Sequence, residues 1–299
     1  MVSPRGHYRE ESPQVANIEL IRQSRDRSVP ETGQGLQKGA IHTDSVSKSY
    51  GGGSGRIDAV GNISIDVAPG DFVSIVGPSG CGKTTFLKLL GDILEPSTGH
   101  VEIDGRPARA MRKGRRVGFV FQNAVLFPWL TVRENVTLPF QIARSGGRFR
   151  RVPNEFLERV DRALTTVGLE DFGHRLPREL SGGMQSRVAL ARALVPEPAV
   201  LLMDEPFAAL DELTRTEMAL HLLSVWERVR TTVVFVTHHI QEAVLLSNRV
   251  VVMSRRPGII RRDITIDLPR PRSLESRRHP LFGEIVEDLT LDFHLSGRD

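Results

Sequence analysis

The sequence predicts an α/β fold, in which a largely parallel sheet is covered by helices on both faces and a helical segment is inserted in the middle. Three observations support this prediction. Short apolar strand-like runs alternate with helical stretches at 199–204, 232–238 and 249–254. A glycine-rich loop joins the strand-like run 72–76 to a helix-like segment. Helical periodicity dominates from 130 to 194.

Composition limits the possible classes of protein. With 299 residues, 39% of them hydrophobic, the chain can hold one large domain or two small ones around a real core. The net charge is only +4 and both signs are interspersed, so nucleic acid is not an expected partner. The single cysteine, Cys81, excludes an intrachain disulfide. With no disulfide to protect, a cytosolic location fits. No apolar stretch approaches the ~20 residues of a membrane helix or resembles a signal core, so we expect the chain itself neither to cross nor to enter a membrane.

The elements follow a polar N-terminal arm. Residues 1–39 carry few large apolar side chains, and we expect this arm to be disordered. Short strand-like segments lie at 41–50, 63–67 and 101–105. The glycine-rich residues 51–55 between the first two predict a hairpin-type loop. The helical region 130–194 is interrupted by a polar segment that begins at Ser145.

The run GPSGCGKT at 77–84 has the pattern of a phosphate-binding loop. Its glycines allow backbone N–H groups to surround phosphate oxygens, Lys83 neutralises the β- and γ-phosphates, and the Thr84 hydroxyl is a ligand for Mg²⁺. An ordinary glycine-rich turn is the alternative, but the strand before the loop and the helix after it favour phosphate binding. The residues expected to bind the nucleotide here are Gly77, Pro78, Ser79, Gly80, Cys81, Gly82, Lys83, Thr84 and Thr85. We also expect bulky thiol reagents at Cys81 to block this binding.

A second nucleotide element is AVLLMDE at 199–205. Its apolar residues predict a buried strand, at whose carboxyl end Asp204 is placed to hold Mg²⁺ and Glu205 to polarise an attacking water. A lone Asp-Glu pair is more often a solvated strand end. Because it occurs together with the lysine loop, we favour catalysis, with Glu205 as general base.

The run LSGGMQ at 180–185 predicts a second anion-binding geometry. Ser181, Gly182 and Gly183 precede a helical segment, so a hydroxyl and bare N–H groups lie at a helix start. Taken alone, such a run is more often a capped turn. The chain therefore carries two candidate phosphate loops.

Over most of residues 41–270, these motifs in this order resemble the ATP-binding cassette (ABC) family. The resemblance identifies Tyr50 as the aromatic that stacks on adenine, Gln122 as a Mg²⁺ and water contact, and LSGGMQ, including Gln185, as the family signature. It identifies residues 209–211, ending at Asp211, as the D-loop. The contact to the γ-phosphate fits either His238 or His239, and the family's T-H-D pattern favours His238. Packing remains the alternative for Tyr50, and a plain strand-end amide for Gln122.

The resemblance implies a P-loop NTPase with a RecA-like core, an antiparallel β subdomain and an inserted helical subdomain at about 123–190. The implied ABC ATPase domain is 40–270, followed by a short C-terminal tail at 271–299. In this family two subunits enclose two ATP molecules, and each site joins the Lys83 loop of one chain to Ser181 and Gly183 of the other. A homodimer that binds ATP and Mg²⁺ is therefore expected.

One branch of the family is closer than the others. The segments 127–135, 201–215 and 267–272 resemble the importer ATPases for nitrate, sulfonates and taurine. In that branch the surface around Trp129 meets the membrane subunit, although Trp129 also fits an ordinary packing role. The implied partners are integral membrane permease subunits and, acting through them, a periplasmic or extracellular solute-binding protein. The implied location is peripheral, on the cytoplasmic face of the cell membrane.

Other readings remain open. The ATPase of an exporter, or of an importer for another solute, differs mainly in its membrane partner. A non-transport ABC ATPase that acts on DNA or ribosomes usually has two cassettes or a long coiled coil, and this sequence shows one cassette without a heptad run. A GTPase or small-molecule kinase is disfavoured, because LSGGMQ is present and the N-K-x-D guanine motif is not.

Overall fold

A computed structural model describes residues 38–52, 55–144 and 153–295. The expected disordered arm, apart from residues 38 and 39, lies outside the described residues. The polar segment that begins at Ser145 also lies outside them.

An antiparallel sheet forms the N-terminal layer. Its strands are β1 (Ile41–Tyr50), β2 (Ile57–Val67), β4 (Thr98–Ile103) and β5 (Arg106–Pro107), in the order β2-β1-β4-β5. The β1–β2 hairpin pairs Ile41 with Val67 at its base and Tyr50 with Ile57 at its tip, on either side of the predicted glycine-rich loop. The buried Thr43 hydroxyl accepts a hydrogen bond from the N–H of Ile65 at 2.8 Å, which stabilises the pair at a point where the register shifts.

A six-stranded sheet forms the centre of the molecule. It contains β3 (Phe72–Val76), β6 (Val117–Val120), β7 (Val200–Asp204), β8 (Thr232–Val236), β9 (Arg249–Met253) and β10 (Ile260–Thr265), in the order β10-β9-β3-β8-β7-β6. All adjacent pairs are parallel except β10 with β9. Every residue of β3, β7 and β8 is buried, as expected for parallel strands covered on both faces.

Helices cover both faces of this sheet. They are α1 (Lys83–Leu90), α2 (Ala108–Lys113), α3 (Val132–Arg144), α4 (Asn154–Thr166), α5 (Gly182–Leu194), α6 (Glu212–Val229), α7 (Ile240–Leu246) and α8 (Pro280–Leu295). Helices α3, α4 and α5 pack on one another through Val136, Leu164 and Val188, among others. This helical group lies between β6 and β7 in the chain, where the helical insertion is predicted. No helix in the described ranges has the length and apolar character to cross a bilayer.

The last part of the chain is folded against the core. After a 3₁₀ helix at Leu274–Arg278, α8 buries Phe282 and Leu289 in a cluster with α7. Arg272, in the DLPRPR segment, is buried, and its guanidinium donates hydrogen bonds to the carbonyls of Val244 and Ser247 at 3.0 and 2.8 Å. These are carbonyls at the carboxyl end of α7, where a cation is favourable. Arg272 thus anchors α7 to the segment that follows β10.

A candidate nucleotide-binding cleft

The carboxyl ends of β3 and β7 face a cleft of about 510 Å³, whose far wall is the β1–β2 hairpin. Loops at the carboxyl ends of parallel strands are the usual ligand site of such sheets. The cleft is lined by Tyr50, Ile57, Ala59, Ser79, Gly80, Gly82, Lys83, Thr84, Thr85, Gln122, Glu205 and Arg256. The structure therefore brings together residues from five separate stretches of sequence.

The loop 77–82 has the backbone expected of a phosphate cradle. Gly80 and Gly82 have positive φ values of 74° and 114°, a region that glycine adopts without strain. A Cβ on Gly82 would lie only 2.4 Å from the carbonyl oxygen of Ala59, so the position also requires glycine sterically. The Lys83 ammonium donates to the carbonyls of Gly77 and Pro78 at 2.7 and 3.0 Å. These contacts hold the lysine cation against the loop that starts α1.

The Cys81 side chain does not line the cleft, and Gly77 and Pro78 do not line it either. It is 2% exposed and packs with Val73, Ile75 and Phe86 in the core beneath the loop. Burial raises the pKa of the Cys81 thiol. Since thiol reagents attack the thiolate, labelling requires the loop to open, and we expect it to be slow. The backbone N–H of Cys81 donates to the carbonyl of Pro78 at 3.3 Å, within the loop itself.

The expected Mg²⁺ ligands are neighbours. The Thr84 hydroxyl donates to Asp204 Oδ1 at 2.8 Å, and Gln122 and Thr84 both line the cleft. Burial is the main cause that raises the pKa of Asp204, although the hydrogen bond from Thr84 opposes it. A cation would offset the cost of burying this carboxylate, and hydroxyl, amide and carboxylate oxygens are the ligands that Mg²⁺ prefers. The residues present fit a Mg²⁺ ion held partly by ATP.

The two predicted catalytic residues touch each other. Glu205 Oε2 lies 2.9 Å from His238 Nδ1, although 33 positions separate the residues in sequence. Glu205 has a φ of 44°, and its N–H donates to the carbonyl of Val236 at 2.9 Å. This left-handed backbone turns the chain away from β7, and the Glu205 side chain lines the cleft. The alternative His239 lines a different cavity, beside α6 and α8, which also includes His238.

A buried network supports the loop that carries His238. Thr237 donates its hydroxyl proton to Glu242 Oε2 at 2.5 Å and accepts the N–H of His239 at 3.0 Å. Glu242 is 5% exposed, and burial raises its pKa to about 7. Sequence reasoning missed Glu242. The only available signal was a charged residue in the otherwise largely apolar helix IQEAVLL.

The LSGGMQ residues lie outside this cleft. Ser181 caps α5 by accepting the N–H of Met184 at 3.3 Å, and Gly182 and Gly183 form the first turn. The Gln185 side-chain amide donates to the carbonyls of Pro177 and Leu180, in the segment that precedes α5. Asp211 likewise caps α6 by accepting the N–H of Thr214 at 3.1 Å. The capped-turn interpretation is thus correct for the local structure, and the first N–H groups of α5 still have no intrahelical acceptor.

Tyr50 lies at one edge of the cleft. It ends β1 with 40% of its surface exposed, and Lys48 Nζ lies 5.7 Å from its ring centroid. A half-exposed ring at a cleft edge agrees better with a stacking platform than with core packing. Ile57 and Ala59 line the cleft beside Tyr50, and Arg256 lines it beside Gly80. These three residues were not predicted, because nothing in their local sequence distinguishes them from ordinary strand and turn residues.

A second concavity, the aromatic groove, lies between β6 and α3. Its apolar lining residues are Val117, Phe119, Phe121, Val125, Phe127, Leu138, Pro139, Ile142, Ala193 and Pro196. Trp129, beside it, is 71% exposed and makes an edge contact with Phe127 at 5.4 Å between ring centroids. Trp129 is therefore not a core residue. An exposed apolar surface of this kind usually marks an interaction site.

Comparison with known proteins gives consistent matches. A model described as ABC transporter matches residues 60–208. An ATP-binding protein of Brucella abortus biovar 1 (strain 9-941) is 45% identical over 248 residues, which cover 83% of this chain and 91% of the relative. An aliphatic sulfonates import ATP-binding protein, SsuB of Bacillus cereus, is 41% identical over 257 residues, which cover 86% of this chain and 97% of that protein.

Solved structures are similar over the same region. The dimeric ATP-binding cassette MJ0796, in a post-hydrolysis state bound to ADP and Pi, matches with a TM-score of 0.65 and 35% identity, covering 76% of this chain and 98% of that one. The structure of cbiO1 from Clostridium perfringens, part of an ABC transporter complex, matches with a TM-score of 0.67 and 25% identity, covering 86% and 97%. Sequence and structure therefore indicate the same family.

Proposed function

Because the chain belongs to the ABC transporter family, as an ATP-binding subunit with ATPase activity, we propose that it powers an importer for a small anion, of the class of alkanesulfonates, taurine or nitrate. The observation that carries this proposal is the 41% identity to an aliphatic sulfonates import subunit over nearly its whole length. The segments 127–135 and 267–272 support the same branch.

ATP binding is proposed to use the cleft described above. Tyr50 stacks on adenine, Ile57 and Ala59 contact the apolar side of the nucleoside, and the loop N–H groups surround the phosphates. Lys83 exchanges its two carbonyl contacts for the β- and γ-phosphate oxygens. A charge-assisted hydrogen bond is about twice as strong as a neutral one, so this exchange favours the bound state.

Thr84, Gln122 and Asp204 would hold Mg²⁺ beside the phosphates. When bound, the ion neutralises charge that develops on the β- and γ-phosphate oxygens. The direct contact from Thr84 to Asp204 holds these two oxygens next to each other. Asp204 also gains a partner for its buried carboxylate.

Hydrolysis is proposed to use the Glu205–His238 pair. Glu205 accepts a proton from a water molecule as the water oxygen forms a bond to the γ-phosphorus, and the bond from that phosphorus to the ADP oxygen breaks. The contact at 2.9 Å orients the carboxylate, because His238 Nδ1 donates to the oxygen that is not needed for the water. The Thr237–Glu242 network fixes the backbone on which His238 is placed.

Coupling to transport needs partners. We propose that a second copy supplies Ser181 and Gly183 across the phosphates, which forms a homodimer that closes on ATP and reopens after hydrolysis. We further propose that integral permease subunits dock at the aromatic groove and Trp129 on the cytoplasmic face of the membrane. A solute-binding protein outside the membrane would deliver the anion to the permease.

The test is uptake in a strain from which the gene has been deleted. We expect loss of growth on taurine or an alkanesulfonate as sole sulfur source, or on nitrate as sole nitrogen source, with normal growth on sulfate and ammonium. Wild-type protein should restore both growth and the initial rate of labelled-anion uptake, whereas Glu205→Gln should restore neither. Unchanged initial uptake of all three anion types would rule out this importer class and leave the ATPase activity unaffected.

A further inference from the structure

The turn that follows β9 lies directly against the phosphate loop. Within it, Arg256 Nε donates a hydrogen bond to the carbonyl oxygen of Gly80 at 2.7 Å. The Arg256 side chain lines the nucleotide cleft together with Ser79 and Lys83. An arginine from outside every family motif thus borders the site where the phosphates are expected.

Close backbone contacts fix the position of this turn. Gly258 donates its N–H to the carbonyl of Ala59 at 3.2 Å, and Gly61 donates to the carbonyl of Gly258 at 3.1 Å. A Cβ on Gly258 would lie 2.2 Å from the carbonyl oxygen of Cys81, so only glycine fits between the phosphate loop and β2. The turn is therefore held between two walls of the cleft, and Arg256 has a defined position rather than that of a free surface side chain.

The charge of Arg256 has no partner among the described residues. The structure shows no carboxylate within ion-pair distance of its guanidinium, and its terminal nitrogens make no hydrogen bond there. Other arginines near this end of the chain are paired, such as Arg249 with Asp263 and Arg262 with Asp288. A guanidinium held by a single neutral carbonyl keeps four N–H donors for another acceptor.

Phosphate oxygens are the acceptors that such a group fits best. The planar fork of arginine binds phosphate with two parallel hydrogen bonds and stays charged throughout the accessible pH range. We propose that Arg256 is a nucleotide-binding residue, which donates its terminal N–H groups to the phosphate chain of ATP while Gly80 holds its Nε. The site would then use two protein cations, Lys83 from inside the loop and Arg256 from outside it.

Equilibrium binding tests this assignment with the full-length protein and the non-hydrolysable analogue AMP-PNP. For Arg256→Gln we expect about a tenfold loss of AMP-PNP affinity, because a charge-assisted contact is removed while an amide remains to donate to Gly80. Adenosine affinity, measured by competition, should stay unchanged. Arg256→Lys should recover part of the loss, since it keeps the charge but not the fork. Raising the salt concentration should weaken binding more in the wild type than in Arg256→Gln.

The matched control is Arg255→Gln. Arg255 is the neighbouring residue in sequence, its side chain is exposed, and it does not line the cleft, so this variant removes the same charge from outside the site. Its AMP-PNP affinity should stay within about twofold of wild type. Three results would overturn the proposal: wild-type AMP-PNP affinity in Arg256→Gln, an equal loss in Arg255→Gln, or an equal loss of adenosine affinity. The first result would mean that Arg256 only supports Gly80, and the second that any nearby positive charge has the same effect. The third would mean that the substitution damages the fold, which thermal unfolding of the free proteins would also detect.

Discussion

The phosphate loop and the LSGGMQ turn are both glycine-rich helix starts, yet their surroundings differ. At α1 the residue before the helix is Gly82, and no side chain caps the first turn. At α5, Ser181 caps the helix itself through the N–H of Met184. Lys83, Thr84 and Asp204 surround the first helix start, whereas Ser181 and Gly183 do not line the nucleotide cleft of their own chain.

In the proposed function, this difference means that the first turn belongs to a complete phosphate site and the second supplies half of a site to another subunit. The α1 turn has uncapped N–H groups, a cation and metal-type ligands, so its hydrogen-bonding needs are met by a triphosphate. The α5 turn is already partly satisfied and offers a neutral hydroxyl and a few N–H groups. Such a surface adds contacts to a ligand that is bound elsewhere, which is the role expected of a second subunit.

The largest expected effect is on the chemical step in the cleft. Glu205→Gln should lower ATP hydrolysis by roughly 10²–10⁴-fold, as is usual when a general base is removed, while ATP affinity is kept. Phosphate release measures the first quantity and AMP-PNP titration the second. Glu170→Gln, at an exposed position outside the cleft, is the control and should hydrolyse ATP like the wild type. Turnover near the parent rate in Glu205→Gln would refute the catalytic assignment.

Mixing two inactive variants tests whether the half-site faces a second copy. Lys83→Ala and Ser181→Ala should each lose most ATPase activity when measured alone. In a mixed dimer, one composite site receives both defects and the other receives neither, so a random mixture should recover up to about a quarter of wild-type activity. Sites contained within one chain would give no recovery.

A third effect concerns the groove rather than the cleft. Trp129→Ala should lower permease association by at least about tenfold, because an exposed aromatic anchor is removed. ATP hydrolysis by the isolated subunit should remain within about twofold of wild type, since Trp129 does not line the nucleotide cleft. Leu274→Ala, at a 54% exposed apolar residue far along the chain, is the control for association. Unaltered permease binding by Trp129→Ala would remove this surface from the coupling proposal.

Local pattern was enough to predict much of the fold. The apolar runs at β3, β7 and β8 and the glycine loop between β3 and α1 indicate a parallel sheet with a phosphate loop, and the predicted ABC cassette fold is confirmed. These features depend on residues close in sequence, so sequence patterns of about two to ten positions are enough to predict them. The separate roles of Glu205 and His238 were expected, but the contact between them, across 33 positions of sequence, was not.

Contacts made by distant segments were not predictable in the same way. Arg256 contacts the phosphate loop in a turn where Gly258 packs closely against the backbone of Cys81. Neither Arg256 nor Gly258 belongs to a sequence motif that predicts ligand binding. The packing of α8 and the anchoring by Arg272 depend on where the chain returns to α7. Burial of the Cys81 thiol depends on the orientation of one side chain in a loop, which spacing does not determine.

The smallest expected effect is a pH dependence of stability that arises beneath the switch loop. Glu242 has an ordinary pKa of 4.5 that burial raises to about 7 in the folded protein, with the charges of Glu205 and Glu212 adding to the shift. Well below pH 4.5 the carboxyl is protonated in both states, so it does not affect stability. As pH rises toward 7 the unfolded chain ionises while the folded protein keeps the proton, so folding becomes progressively less favourable.

Glu242→Gln removes this titration and keeps an oxygen that accepts the Thr237 hydroxyl proton. We expect the free energy of unfolding of the variant to exceed that of wild type by ~1–3 kcal/mol near pH 8, and by little near pH 5. The difference between the ordinary and the raised pKa of Glu242 sets the upper limit of this gain. Urea unfolding at the two pH values measures the difference. Equal stability changes for Glu242→Gln at both pH values would show that Glu242 ionises normally in the fold, and that the support of His238 does not depend on a proton held there.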